Sequence, residues 1–206
     1  MSVGPSKIVC VGRNYAEHAR EFGNAVPEKP LLFLKPPSAL IGPGEPILLP
    51  PESERVEHEA EIAVVVGRRL RFVSPAEAEL AIGGIACAND VTARDLQRAD
   101  SQWTRAKGFD SFCPVGPTVT GVDWRSLEVI ARVNGEERQR GKSSEMVFSI
   151  PELLAYISTI MTLEEGDLVL TGTPAGTAPL DDGDVVEIEI PGVGILSNPV
   201  RKARGG

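Results

Sequence analysis

Glu59-Ala-Glu-Ile-Ala-Val-Val-Val66 is the clearest strand of the chain, because a β-branched apolar run of this kind reads as one buried on both faces. Its start is acidic. Glu59 and Glu61 lie two residues apart, so their carboxylates share one face with Cα atoms about 6.6 Å apart. Two acids beside an apolar run repel each other and cost several kcal/mol of desolvation unless compensated, and a divalent cation removes both penalties. Spacing alone leaves open a pair of solvated acids at an exposed strand end, since Glu52, Glu54 and Glu57 crowd the same stretch.

Gly84-Ile-Ala-Cys-Ala-Asn-Asp90 reads as a second buried strand with a polar end, where Asp90 offers a third oxygen ligand or a helix cap. Upstream, Lys7-Ile-Val-Cys-Val-Gly12 is a short strand, Arg13 to Phe22 a polar helix ended by Pro27 and Pro30, and Leu31 to Lys35 a buried strand stopped by Pro36-Pro37. Pro43 to Pro51 mixes turn residues with Ile47-Leu48-Leu49. Ser74-Pro75-Ala76-Glu77 has the pattern of a capping box and predicts a short helix to Ile82. Thr92 to Trp103 reads as one partly exposed helix. Leu127 to Val133 meets Asn134-Gly135, a strong hairpin signal, so Glu136 to Arg140 returns antiparallel. Ser149, Pro151 and Glu152 open an amphipathic helix to about Met161, and Asp167 to Val200 holds three short strands. Asp181-Asp-Gly-Asp184 lacks the calcium-loop pattern and reads as a turn. Arg201 to Gly206 reads as a frayed basic tail.

Nine to eleven strands and three or four short helices predict a sheet-rich α+β fold. The 21 Gly and 17 Pro among 206 residues agree with many turns, and 42% hydrophobic content supports one core, so a single domain is expected over residues 1–206. A net charge of −8 without a dense Lys/Arg cluster excludes nucleic acid as the expected partner. Cys10, Cys87 and Cys113 are an odd, widely spaced set in apolar stretches, which predicts reduced core residues. Met1 to Lys7 has no apolar leader core and no run is long enough to span a membrane, so a cytoplasmic protein is expected.

Other candidates for chemistry are polar residues that share a face. His18 and Glu21 lie three apart on the first predicted helix and can form a general-base pair or an incidental surface pair. His58 precedes Glu59 and points to the opposite face of that strand. Lys107 sits where it can meet a substrate carboxylate or enolate, or remain a solvated loop lysine. Arg94 and Gln97 share a helix face, as a structural pair or as anion ligands. Thr171-Gly-Thr-Pro174 forms a turn able to present N–H groups to an oxyanion.

Taken in order, Val-Gly-Arg-Asn-Tyr-Ala-x-His-x-x-Glu, Phe-Leu-Lys-Pro, His-Glu-x-Glu-Ile, Asn-Asp-Val-Thr-Ala-Arg-Asp-Leu-Gln, Ala-Lys-Gly-Phe-Asp and Thr-Gly-Thr-Pro resemble the fumarylacetoacetate hydrolase family over about residues 7–200. The likeness is to its short, single-domain branch, which includes acylpyruvate hydrolases and oxaloacetate decarboxylases. It implies a mixed β-sandwich or β-roll, a homodimer, and Mg²⁺ or Mn²⁺ held by Glu59, Glu61 and Asp90. It further implies a substrate site lined by Arg13, Tyr15, Lys35, Arg94, Gln97, Lys107 and Thr173, with His18 and Glu21 as a dyad on a lid helix.

A small 2-oxo acid chelated through its carboxylate and keto oxygens is activated at the neighbouring carbon by enolate stabilisation. Hydrolysis of an acylpyruvate and decarboxylation of oxaloacetate both release the same pyruvate enolate. For hydrolysis, His18 held by Glu21 would activate water and Lys107 would stabilise charge. Isomerisation or decarboxylation of unsaturated dicarboxylates from aromatic catabolism, as in a 2-hydroxyhepta-2,4-diene-1,7-dioate isomerase, is the alternative enzyme reading. A non-catalytic metal-binding protein is the other. The extra N-terminal domain of larger relatives is lacking, which argues against fumarylacetoacetate itself as substrate.

Overall fold

The computed structural model describes residues 4–203. From the N-terminus come β1 (Ile8–Gly12), α1 (Ala16–Glu21), β2 (Leu31–Lys35), β3 (Leu40–Ile41), β4 (Ile47–Leu49), β5 (Val56–Glu57) and β6 (Ala60–Val66). Then follow α2 (Pro75–Glu79), β7 (Ile82–Asn89), β8 (Thr92–Ala93), α3 (Arg94–Ala99), α4 (Thr104–Lys107) and β9 (Cys113–Pro114). The hairpin β10 (Glu128–Val133) and β11 (Glu136–Lys142), α5 (Ile150–Ile160), β12 (Leu168–Leu170), β13 (Val185–Ile190) and β14 (Gly194–Lys202) complete the trace.

Two five-stranded sheets dominate, in the orders β2-β1-β12-β6-β7 and β11-β10-β13-β14-β4. Both are mixed, since β1 runs parallel to β12 and β14 parallel to β4 while the other pairs are antiparallel. The sheet-rich α+β expectation therefore holds. The period-2 alternation of β6 and β7 builds two interiors. Ile62, Val64, Ile85 and Cys87 pack in one cluster with Val129, Ala131, Val186, Ile188 and Leu196 of the second sheet. Ala63, Ala86 and Ala88 share a second cluster with Ile8, Cys10, Leu168 and Leu170. Burying a side chain such as Ile62 or Val64 contributes roughly 1.5–3 kcal/mol. Glu61 pairs with Ala88, two places from the Ala63–Ala86 pair, so its carboxylate falls on the alanine-lined face.

Several expectations are corrected. Fourteen strands form among the described residues, because four of them (β3, β5, β8, β9) are two-residue pairings too short for any periodic signal. Thr92 to Trp103 is not one helix. Thr92 and Ala93 pair with Glu57 and Val56, and the chain extends again at Asp100 (ψ 143°) before α4 begins. Among the described residues five α-helices result instead of three or four. The capping box at Ser74 and Glu77 is present, but α2 ends at Glu79 because Ile82 already pairs with Val66. β2 is an edge strand rather than a buried one, with Leu34 51% exposed. Arg201 and Lys202 are paired with Leu48 and Leu49, and residues 204–206 of the expected tail lie outside the described residues.

The Asn134-Gly135 hairpin forms with both residues in the left-handed region (φ 54° and 79°), the twist that a two-residue loop between strands requires. The three cysteines are buried and free. Among the described residues no helix is long and apolar enough to cross a membrane.

Candidate metal centre and substrate cleft

The β6–β7 pairing assembles the acidic site. Ala60 pairs with Asn89 and Glu61 with Ala88, and the Asp90 N–H donates to the Glu59 carbonyl at 2.9 Å. Glu59, Glu61 and Asp90 thereby each bring a carboxylate oxygen within 4.8 Å of the others, and all three are buried. These are not solvated acids at a strand end.

Two cations grip the cluster. Lys107, at the end of α4, donates to Glu59 Oε2 at 2.8 Å and to Asp90 Oδ2 at 2.6 Å. Burial alone would lower its pKa, but Asp90 and Glu59 outweigh that and hold the ammonium above the ordinary lysine value. Arg94 donates to Glu57 Oε2 at 2.7 Å, to Glu59 Oε1 at 2.5 Å and to Gln97 Oε1 at 2.5 Å. Burial would raise the Glu59 carboxyl, yet Lys107 and Arg94 together hold it well below the usual range.

Among the described residues Glu61 accepts only from the Gly172 N–H at 2.7 Å, so burial, then Asp90, then Glu59 push its carboxyl well above the usual range. The Gly172 N–H thus serves this carboxylate rather than a substrate oxyanion. A Cβ at Gly172 (φ 104°) would lie 2.7 Å from the Asn14 Cβ. Asn14 ties this turn down, donating to the Thr171 carbonyl at 2.8 Å and accepting from the Phe148 N–H at 2.8 Å.

Asp90 Oδ1 is buried without a hydrogen-bond donor, although Lys35 Nζ lies 2.8 Å away. The ammonium has three protons, and they go to the carbonyls of Val91, Lys107 and Phe112 at 3.0, 2.7 and 2.8 Å. A buried carboxylate oxygen with free lone pairs, beside a carboxyl destabilised by its neighbours, fits a hard divalent cation such as Mg²⁺ or Mn²⁺.

A cleft of about 270 Å³ opens over the three acids. His18, Arg13, Gln97, Lys107 and Thr173 line it, as do Phe22, Phe33, Trp103 and Arg98. His18 is buried and its Nδ1 lies 3.3 Å from Glu21 Oε2, so the carboxylate accepts the Nδ1–H and leaves Nε2 as the basic nitrogen. Burial lowers this imidazole below the ordinary value of 6.5 and so favours its neutral form, against the raising influence of Glu59 and Glu21. Glu21 in turn accepts from the Gly176 N–H at 3.2 Å.

Two of the expected lining residues do not face the cleft. Lys35 is 1% exposed and spends its protons below the acids, where it clamps three carbonyls. Tyr15 packs close to the positions of Gly141, and its hydroxyl is buried without a partner among the described residues. His58 lies off the cleft too, against Gln139. Arg98, the aromatic wall and Gln139 escaped sequence reasoning. Gln139 left one signal, as an uncharged residue at an inward position between Arg138 and Arg140.

The sequence matches the model of the fumarylacetoacetate (FAA) hydrolase C-terminal family over residues 7–201, and the chain belongs to that family. It is 46% identical over 202 residues to human oxaloacetate tautomerase FAHD1, mitochondrial, covering 95% of this chain and 91% of that protein. Among solved structures, 2-hydroxyhepta-2,4-diene-1,7-dioate isomerase from Mycobacterium marinum superposes with a TM-score of 0.90 at 48% identity, over 98% of this chain and 76% of the other. Fumarylpyruvate hydrolase from Pseudomonas aeruginosa, solved with Mn²⁺ and pyruvate, superposes with a TM-score of 0.92 at 32% identity, over 97% and 91%.

Proposed function

We propose that the chain is a divalent-metal enzyme that moves a proton at the carbon next to the keto group of a small 2-oxo dicarboxylic acid, interconverting its keto and enol forms. The observation that carries this reading is a buried, carboxylate-held imidazole, His18, lining the same cleft as the Glu59–Glu61–Asp90 triad. A bound Mg²⁺ or Mn²⁺ would supply Lewis-acid activation of the 2-oxo acid.

His18 Nε2 takes the proton from C3 and returns it, while Glu21 fixes the tautomer and orientation of the ring. Lys107 places its ammonium beside the charge that develops on the substrate oxygens. Thr173 faces the carboxylate next to the keto group. Arg13 and Arg98, which line the cleft, receive the distal carboxylate. Phe22, Phe33 and Trp103 form a wall that excludes water from the reacting carbon.

Cleavage of a C–C bond, by hydrolysis of an acylpyruvate or decarboxylation of oxaloacetate, is the second reading. The likeness to fumarylpyruvate hydrolase supports it. Proton NMR of oxaloacetate in D₂O with the Mg²⁺-loaded protein separates the two. Exchange of the C3 hydrogens faster than pyruvate appears, and lost in His18→Asn, is the expected result. Pyruvate release at the rate of exchange would favour cleavage, and exchange no faster than in His18→Asn would rule out proton transfer by this residue. Pairing into a homodimer belongs to the same proposal, supported by the shared apolar surface on which the exposed Leu34 and Ile160 lie, and sedimentation equilibrium checks it.

A further inference from the structure

The Gln139 side chain reaches from the second sheet to both halves of the site and uses all its hydrogen-bonding capacity there. Its Oε1 accepts from the Ala60 N–H at 2.9 Å and lies 2.9 Å from His58 Nδ1. Its Nε2 donates to Thr173 Oγ1 at 2.8 Å and to the Pro174 carbonyl at 2.7 Å. The two backbone groups settle which end is oxygen: a flipped amide would set NH₂ against the Ala60 N–H and oxygen against the Pro174 carbonyl. Both amide protons are therefore committed, and Thr173 Oγ1 is an acceptor in that bond. Its own proton cannot point at Gln139 and has no acceptor among the described residues. Thr173 is 3% exposed and lines the cleft, so the cleft is where that proton can be used.

The contact is rigid. A Cβ at Gly176 would lie 2.1 Å from the Arg138 carbonyl oxygen, and one at Gly141 would lie 2.6 Å from the Pro174 Cβ, so the 173–176 loop is pressed onto β11 on both sides of Gln139. Ala60, held by the same amide, separates the carboxylates Glu59 and Glu61.

We propose that Gln139 is a positioning residue that orients the Thr173 hydroxyl as a hydrogen-bond donor to the carboxylate of a bound 2-oxo acid, in fixed register with the acidic triad. This rests on the reading that the cleft binds a 2-oxo acid. Pyruvate is titrated into the Mn²⁺-loaded protein and its dissociation constant read from water-proton relaxation, for the wild type, Gln139→Met, Thr173→Val and the double variant. Each single substitution is expected to weaken pyruvate about tenfold, the loss of one hydrogen bond to a charged group. The double variant is expected to match Thr173→Val within about twofold, because both act through one hydroxyl. Thr173→Ser keeps that hydroxyl and should retain wild-type affinity.

Effects that multiply to about a hundredfold, or an affinity of Gln139→Met equal to the wild type, would overturn the inference. A wild type that binds Mn²⁺ but no pyruvate would instead overturn the functional reading beneath it. Should Gln139→Met fail to fold, Gln139→Glu takes its place: one oxygen keeps the bonds to Ala60 and His58, and the other loses the bond to the Pro174 carbonyl but accepts the Thr173 proton and turns it away from the cleft. Its pyruvate affinity is expected to fall at least tenfold, and an unchanged value would overturn the inference equally.

Discussion

Lys107→Met tests how the charge balance of the site is kept. The ammonium lies 2.8 Å from Glu59 Oε2 and 2.6 Å from Asp90 Oδ2 and is 2% exposed. Removing one member of such a buried cluster costs about 3–5 kcal/mol, because the partner charges stay behind. For a chain of this length each kcal/mol shifts Tm by roughly 2–4 °C, so the metal-free variant should melt about 6–20 °C below the metal-free wild type. A divalent ion reverses the balance. It seeks the same oxygens as the ammonium, and two positive charges about 4 Å apart at an effective dielectric near 20 repel by about 4 kcal/mol per unit of charge product. Even after most of this is relieved by movement of the lysine, the variant should bind Mn²⁺ at least about tenfold more tightly than the wild type, a difference of about 1.4 kcal/mol. Saturating Mn²⁺ should therefore close at least about a quarter to a half of the Tm gap. Differential scanning calorimetry with and without Mn²⁺, paired with isothermal titration, reads both quantities. A Tm gap that persists unchanged with metal, together with weaker Mn²⁺ binding, would show that Lys107 organises the ligands rather than competing with the cation.

Further outcomes follow from the same geometry. Burial lowers the His18 pKa below 6.5, so kcat/KM should hold steady as pH falls through 6.5 and decline only below it. Glu21→Gln removes two influences that raise this pKa and should move the acid limb to lower pH; a limb above 6.5, or an upward move, would contradict His18 as the base. Arg13 holds a left-handed backbone (φ 60°), which costs a non-glycine residue roughly 1–2 kcal/mol. Arg13→Gly should therefore keep or raise Tm while KM for a dicarboxylate rises, and a clear loss of Tm would refute the strain. Asp167 is buried and accepts from Ser6, from the Lys7 backbone and ammonium, and from the Glu164 N–H. Burial would raise its pKa, but Lys7, the Glu164 N–H and Ser6 hold it below 3.8, so its stabilisation is complete above that value and lost as pH falls. Asp167→Asn should cost about 1–3 kcal/mol at pH 7 in chemical denaturation, with the gap to wild type narrowing below about pH 4.

The legible parts of this molecule were those set by local pattern. The β6 run announced itself because burial on both faces leaves no polar alternation, and Glu59 and Glu61 stood out at period 2 against it. The hairpin at Asn134 and the caps at Ser74 and Ser149 follow from residue chemistry at single positions. What stayed hidden depends on pairing across long separations. Asp90 meets Glu59 only through the register of β6 on β7, which spacing does not reveal, and the ordered motifs were needed to join them. Gln139 reaches Ala60 from a different sheet, and Phe22, Phe33 and Trp103 converge from three elements. Lys35 shows the opposite error: a lysine ending a strand beside the site turned inward, where it donates to three carbonyls at the ends of neighbouring elements.

The central claim is that Glu59, Glu61 and Asp90 together hold one divalent ion. Anomalous diffraction at the manganese edge, from crystals grown with Mn²⁺, locates the ion directly. A single strong peak about 2.1 Å from one carboxylate oxygen of each of the three residues is the expected result. No peak there at saturating Mn²⁺, or a peak that excludes any one of the three, would contradict it.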